Sequence, residues 1–464
     1  MNAESNHNAR VRLERKLGLF SCTNIVVANM IGAGIFTTSG LLMSDLGNPI
    51  LMILLWMIGG ILALCGALSY GELGAAIPEA GGEYAFLSRI FHPIFGFLSG
   101  WISFIVGFSA PIAASALGFT EYFYRALPQV FLWGEASGII SVIAIKKLMA
   151  ISVIALFTLI HLRGIEYGTR IQNLLTILKV GLIIILIVVG FSFGKGNFNN
   201  IVEHNVFAFD FSSLKTIGLS LMWIMFAYSG WNASTYIGSE IKNPQKNLPL
   251  SLLVGTVIVM FLYLCLNVFY VFAVPPEEMK GVISIGGLAV SNSLGKILED
   301  LFSLMISFAL FSSLSAFIIL GPRVYYSMAQ DGLFFKFASD IHPVYKVPCK
   351  AIVLQGIISG VMVLSGTFDQ ILTYMGFSLG IFPILAVCGV FILRKKGIGT
   401  VKFPGYPVVQ IIYVLTTGCM LVLALFERPV ESSIAVLTVL VGIPAYFRFR
   451  KSSKLYDKTL RPKQ

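Results

Sequence analysis

Apolar residues along this chain follow neither the helical nor the strand period; they run on for about twenty residues or more and are broken by short polar connections. Runs of that kind are helices that face lipid or lie buried all round. Taking those able to cross the ~30 Å of a bilayer's hydrocarbon, the pattern predicts twelve spans, at about 17–44, 49–77, 94–124, 143–162, 170–193, 214–240, 248–274, 286–322, 350–365, 369–393, 407–427 and 431–447. The fourth, eighth and ninth have the least sharp ends, because short or glycine-rich apolar runs give no clear boundary. The expectation is an all-α integral membrane protein made of a single transmembrane domain over residues 1–464.

Two spans carry an interruption. In the first, Asn29-Met30-Ile31-Gly32-Ala33-Gly34-Ile35-Phe36 sets two glycines one residue apart in mid-span, and each costs about 1 kcal/mol in a helix relative to alanine. Two readings stand: a deliberate break whose freed backbone groups line a cavity or meet a ligand, and a small-residue surface for close helix packing. The sixth span repeats the anomaly at Phe226-Ala227-Tyr228-Ser229-Gly230-Trp231-Asn232-Ala233-Ser234. Spans one and six enter the membrane from opposite faces. Corresponding breaks in two five-helix halves point to an inverted repeat with its binding site at the midplane. The halves would be about 17–193 and 214–393, with accessory helices at about 407–447; the symmetry is positional, with no identity between the halves visible.

Composition agrees with a bilayer as solvent: 56% of residues are hydrophobic and only 12% charged, against ~25% charged in soluble domains. No cleavable signal peptide is expected, since the chain is polar through Lys16 and the following apolar run is too long and lacks a small-residue cleavage site. The net charge of +11 would suit nucleic acid if it were clustered without regard to the spans. It is not: with the N-terminus inside, 24 of 33 basic residues flank the inner ends, and eight the outer ends. That asymmetry is the positive-inside pattern. It gives cytoplasmic tails at 1–16 and 448–464, and it removes nucleic acid as a partner.

The remaining basic residue is Lys179, well inside the fifth span. A charge at the centre of a membrane helix costs on the order of 2.5–3.5 kcal/mol on insertion scales and marks a functional site by default. The alternative is snorkelling to the inner interface; Arg170 and Gln172 already read as the interfacial end, which favours function. Between spans two and three, Pro78-Glu79-Ala80-Gly81-Gly82-Glu83-Tyr84 reads as a tight turn. Its acids are expected as helix-terminal and loop-packing residues, with Glu72 a candidate anchor of an inner gate. The inner loop from Asp331 to Lys350 reads as an amphipathic interfacial segment. Six cysteines stand singly, with no Cys-x-x-Cys spacing and no histidine cluster beside them, so no metal and no cofactor is expected.

Taken together, Gly32-Ala33-Gly34-Ile35-Phe36, Pro78 to Tyr84, Arg163-Gly164, Arg170-Ile171-Gln172-Asn173, Lys179 and Phe226 to Asn232 resemble the amino acid, polyamine and organocation superfamily. The fit is best to its bacterial L-type-like amino acid transporters, over residues 14 to 450. The resemblance implies a five-plus-five inverted repeat with two added helices, in a plasma membrane of the bacterial inner-membrane type. It also implies a site that reads both ends of a zwitterion. The N-terminal end of the outer half of helix one would offer Ala33 and Gly34 N–H groups to the substrate carboxylate. Carbonyls of Met30 and Ile31, with those of Phe226, Ala227 and Ser229, would take the ammonium. Phe226 would gate the bound substrate, and Trp231 and Asn232 would neighbour its side chain.

Two departures bear on specificity: Ala33 stands where many relatives have serine, and Ala233 where large relatives have a bulky residue. With no unpaired acid or base seen near these motifs, small or medium neutral L-amino acids fit better than charged ones. The resemblance also implies that Lys179 would occupy the place of the cation in sodium-driven relatives. It would bond the Gly32 carbonyl and a hydroxyl among Ser312, Ser313 and Ser315, giving sodium-independent transport. Exchange and proton coupling both stay open. The competing readings are a non-transporting amino acid sensor, a transporter of cationic amino acids or polyamines, and a membrane-embedded enzyme. A sensor would need an appended domain that the loops are too short to hold, and an enzyme a catalytic cluster at membrane depth. A disulfide-linked subunit, as in some animal relatives, is not expected, because the outer loop from Glu121 to Lys147 contains no cysteine.

Overall fold

The computed structural model describes residues 13–130, 141–202, 210–282, 284–365, 368–398 and 401–460. Tail residues 1–12 and 461–464, and residues 131–140 of the expected outer loop, lie outside the described residues. The first expected span is two helices, α1 (Leu19–Met30) and α2 (Gly34–Leu46), separated at 31–33. Then follow α3 (Pro49–Ala76), α4 (Glu83–Ile90), α5 (Pro93–Ile102), α6 (Ser109–Ala126), α7 (Val142–Leu162), α8 (Ile165–Phe193) and α9 (Phe211–Ala227). The second part holds α10 (Pro244–Ala273), α11 (Ile285–Leu294), α12 (Lys296–Gln330), α13 (Cys349–Ser365), α14 (Phe368–Lys395), α15 (Val408–Glu427) and α16 (Pro429–Leu460).

Among the described residues, nine helical stretches are long and apolar enough to cross a membrane, while α9, α11 and most of α13 form shorter apolar helices. Three boundaries depart from the sequence reading. The eighth run, expected unbroken from 286 to 322, divides at Gly295, whose φ of 95° ends α11 before a polar turn opens α12. After α9 no α-helix resumes; the chain continues as 3₁₀ turns at Ala233–Tyr236 and Gly238–Glu240. The loop after Asp331 holds only a 3₁₀ turn, Lys336–Ser339, and buries Phe334 against Phe104 and Tyr325.

α3 packs along α10 and α6 along α12, and α1 lies against α10, α8 and α12. The glycines at the two breaks let backbone meet backbone. A Cβ on Gly34 would come within 2.8 Å of the Ala227 Cβ, and one on Gly230, at φ +99°, within 2.7 Å of the Asn29 Cβ. The two readings of the glycine pair thus describe one arrangement: the chain breaks and the breaks pack on each other.

At the end where α1 begins, the N–H groups of Lys16 and Leu17 both donate to the Glu240 carbonyl at 2.9 Å, and the Lys242 N–H donates to the Leu17 carbonyl at 2.8 Å. The Glu240 side chain is completely buried and takes Arg323 Nε and Nη2 at 2.8 and 3.2 Å. Glu72 pairs with Arg394 at 2.7 Å from each oxygen, and Arg89 bridges Glu79 and Asp331. Removing one partner of a buried pair strands the other charge, at a cost of about 3–5 kcal/mol. Glu240→Gln should therefore lower the thermal midpoint of the detergent-purified protein steeply, and Glu240→Leu with Arg323→Met should recover most of the loss. Equal melting of the single variant and wild type would show that the pair contributes nothing.

Candidate functional site

Lys179 sits midway along α8, which starts at Ile165, and it is 2% exposed. Its ammonium donates to the carbonyls of Ala28 (3.3 Å) and Ile31 (2.5 Å) and to Ser313 Oγ (2.8 Å). Ser313 in turn donates to the Ile31 carbonyl at 2.7 Å. All three ammonium donors are used, two on carbonyls that the end of α1 sets free and one on the Ser313 hydroxyl of α12. The side chain does not snorkel. The contact falls on Ile31 and not on Gly32, because the Gly32 N–H turns back to the Met30 carbonyl at 2.9 Å and folds the break tightly. Only Ser313 of the three candidate serines meets Lys179. Ser312 accepts from Gln172 and pairs with Thr176, and Ser315 pairs with His161 at 2.8 Å.

The carbonyls expected to face a ligand are mostly engaged. Tyr263 on α10 donates to both Met30 (2.6 Å) and Ala227 (3.0 Å), bridging the two breaks with one hydroxyl. The Phe226 carbonyl takes the Ser229 N–H at 2.9 Å. Of the expected acceptors, only the Ser229 carbonyl receives no hydrogen bond from the described residues. On the opposite side of the break, the N–H groups of Ala33, Gly34 and Ile35 donate to no described residue. They are the open first turn of α2, pointing a positive partial charge into the break.

A cavity of about 100 Å³ lies beside the second break, lined among others by Asn29, Phe226, Ser229, Trp231 and Asn232. Met30, Ile31, Ala33, Gly34 and Ala227 are not in its wall. Trp231 is fixed by edge contact with Tyr70 and by Gly66, where a Cβ would lie 2.7 Å from the indole. Two contributors were not read from the sequence. A π-helical turn at Ser103–Gly107 joins α5 to α6 and gives Ser103 and Gly107 to the wall; such turns recur at functional sites. Glu83, at the start of α4 in the connection between spans two and three, also lines the cavity. It accepts from Asn232 Nδ2 at 2.9 Å, Tyr236 Oη at 3.2 Å and Ser99 Oγ at 3.4 Å. The expectation that Glu83 is a helix-terminal and loop-packing residue is therefore corrected: it starts α4 but stands, hydrogen-bonded, in the cavity wall. The paired glycines before it carry Glu83 inward. Burial pushes its carboxyl up to about 7, offset in part by those hydrogen bonds.

A model of the amino acid permease family matches residues 17–444. The chain belongs to that family. The permease is 29% identical over 449 residues to the serine/threonine exchanger SteT of Bacillus subtilis (strain 168), covering 95% of this chain and 98% of the relative. It is 28% identical over 447 residues to the large neutral amino acids transporter small subunit 2 of Mus musculus, covering 94% and 81%. It is likewise 28% identical over 454 residues to the cystine/glutamate transporter of Homo sapiens, covering 97% and 88%. These relatives are transporters, so the permease is a membrane transporter of amino acids and not an enzyme.

Two measurements probe this geometry. Tyr263→Phe removes the one hydroxyl proton that the Met30 and Ala227 carbonyls share and leaves buried acceptors unsatisfied. It should lower stability by roughly 1–3 kcal/mol in denaturant titrations, and an unchanged midpoint would mean that the hydroxyl does not join the breaks. For Glu83 the folded carboxyl holds its proton up to about 7, whereas the ordinary value is 4.5. Between those values the folded permease binds the extra proton, so stability falls as pH rises through the window. Melting curves from pH 4.5 to 8 should show this slope in wild type and its loss in Glu83→Gln; identical slopes would refute it.

Proposed function

We propose that this permease exchanges small or medium neutral L-amino acids across the plasma membrane by alternating access, without sodium. The observation that carries the reading is the three-oxygen cradle around the Lys179 ammonium at the break after α1. A fixed cation there takes the oxygens that a sodium ion would need. The substrate carboxylate docks on the open N–H groups of Ala33 and Gly34, and its ammonium on the Ser229 carbonyl. Trp231 and Asn232 neighbour the side chain, and Phe226 closes over it. Size supports small or medium cargo: the cavity beside Trp231 and Asn232 is about 100 Å³. The exchanger among the relatives is named for serine and threonine.

The same reading gives twelve spans in a five-plus-five inverted repeat with helices one and six broken at mid-membrane. The halves are about 17–193 and 214–393, followed by accessory helices at about 407–447, in one transporter domain. The basic flanks support cytoplasmic termini in a bacterial inner membrane, and the loops support a permease that acts without a disulfide-linked subunit. Proton symport is the second reading, favoured by the buried Glu83 carboxyl in the cavity wall.

Uptake of labelled serine, threonine, alanine and leucine into proteoliposomes separates these readings, under a sodium gradient, a proton gradient, or preloading with unlabelled substrate. Stimulation by preloading alone is the expected result; stimulation by acid outside would establish symport, and sodium dependence would overturn the cradle argument. Lys179→Ala removes charge-assisted bonds worth ~1.5–3 kcal/mol each and should cut exchange on the order of tenfold or more. Wild-type flux in that variant would end the assignment.

A further inference from the structure

Away from the broken helices, at the end where α1 begins, the turn between α7 and α8 meets the loop that precedes α13. There a cavity of about 240 Å³ is walled by Glu14, Lys16, Arg163, Glu166, Arg170 and Lys346, with Tyr345. Both carboxylates are already held. Lys16 pairs with Glu14 at 3.2 Å and with Glu166 at 3.4 Å, and Lys346 lies 3.9 Å from Glu14. Neither the Arg163 nor the Arg170 side chain has an ion pair or hydrogen bond among the described residues. Four cations against two anions leave a surplus of two, and the surplus sits on two exposed guanidinium groups. A planar guanidinium offers paired N–H donors that match a phosphate's oxygens, which a lysine ammonium does not.

The cavity continues into a groove of another character. Tyr345 lines both, and beyond it an opening of about 590 Å³ runs between the end of α7 at Leu162 and the start of α13, past Phe337, Cys349, Val353 and Ile357. From there an apolar stripe follows α13 outward: Val353, Ile357, Val361 and Leu364 are all exposed, at helical spacing on one face. Exposed Leu156 and Leu159 stand on neighbouring α7. A cationic socket beside an apolar groove, with Tyr345 in the wall of both, has the two-part chemistry of one molecule class.

We propose that this socket and groove bind an anionic phospholipid, its phosphate on Arg163 and Arg170 and an acyl chain along the α13 stripe. The phosphate diester alone would suit a free phosphate ester as well; the contiguous groove is what favours the lipid. A net surplus of cations selects phosphatidylglycerol-type headgroups over neutral ones. Because the socket is built by residues just before α1 and at the start of α8, the lipid braces the two helices that meet at Lys179. The inference stands without any assumption about cargo or coupling.

The test compares lipid retention by the full-length purified permease in native mass spectrometry and in nanodiscs. Wild type is set against Arg163→Gln with Arg170→Gln, and against Lys242→Gln with Lys246→Gln, which removes two exposed charges of the same end outside the socket. Dioleoylphosphatidylglycerol should be retained by wild type and by the lysine pair, and about 30-fold less by the arginine pair, as two surface cations imply. Dioleoylphosphatidylcholine should distinguish none of the three. Equal retention by all three proteins, or equal loss in both double variants, would overturn the site. Full displacement of the lipid by soluble glycerol phosphate at comparable concentration would overturn the groove's part and leave a phosphate-ester site. A thermal midpoint in neutral nanodiscs within a few degrees of wild type secures that the arginine variant is folded; if it is not, Val353→Ser with Ile357→Ser tests the same lipid from the groove side.

Discussion

The contact between the Lys179 ammonium and the carbonyls released where α1 stops is the constraint on which the rest of this molecule depends. An interrupted helix inside a bilayer leaves backbone oxygens with no water to meet, and an ammonium in the same medium has the converse need. Each satisfies the other. The hydroxyl of Ser313 closes the arrangement from α12 by taking a hydrogen bond from one group and giving one to the other. The break can therefore be permanent without strain, and its far side, at Ala33 to Ile35, is left with donors that nothing in the described chain takes up.

What the sequence made legible was local. Two glycines one residue apart located the first interruption to within a residue, and Ser229 to Asn232 located the second. The lone lysine stood out because nothing else charged lies at that depth. What it concealed was pairing at a distance. Tyr263 is an ordinary tyrosine in an apolar run, and its role appears only when α10 lies between both breaks. Glu83 sits among loop residues in the chain but on the cavity wall in space. The choice of Ile31 over Gly32 and of Ser313 over its neighbours depends on helix phase, which apolar runs without amphipathic period do not reveal. The same lack of period hid the division at Gly295 and the π-helical turn at Ser103–Gly107.

The breaks also do mechanical service for each other. Gly34 against Ala227 and Gly230 against Asn29 leave no room for a side chain at either crossing, so the two interrupted helices touch at their weakest points, where backbone groups are exposed to be read. Family membership gives the permease its cargo class, amino acids. Close approach of unpaired N–H groups on one helix and an unpaired carbonyl on the other suits the two charges that every zwitterion carries, whatever its side chain.

The short backbone ladder that joins Lys16 and Leu17 to Glu240, and Lys242 back to Leu17, ties the beginning of α1 to the 3₁₀ turns that follow α9. With Arg323 locked to the buried Glu240 behind it, separating those two segments would mean exposing an ion pair that now has no water. The links around Arg89, Glu79 and Asp331 are different: they already stand partly in solvent, where an ion pair holds little free energy. The start of α1 and the 3₁₀ turns after α9 are thus held as one unit by a buried ion pair. At that end the exposed links that α4 makes through Arg89 to Glu79 and Asp331 resist separation less than the buried Glu240–Arg323 pair does.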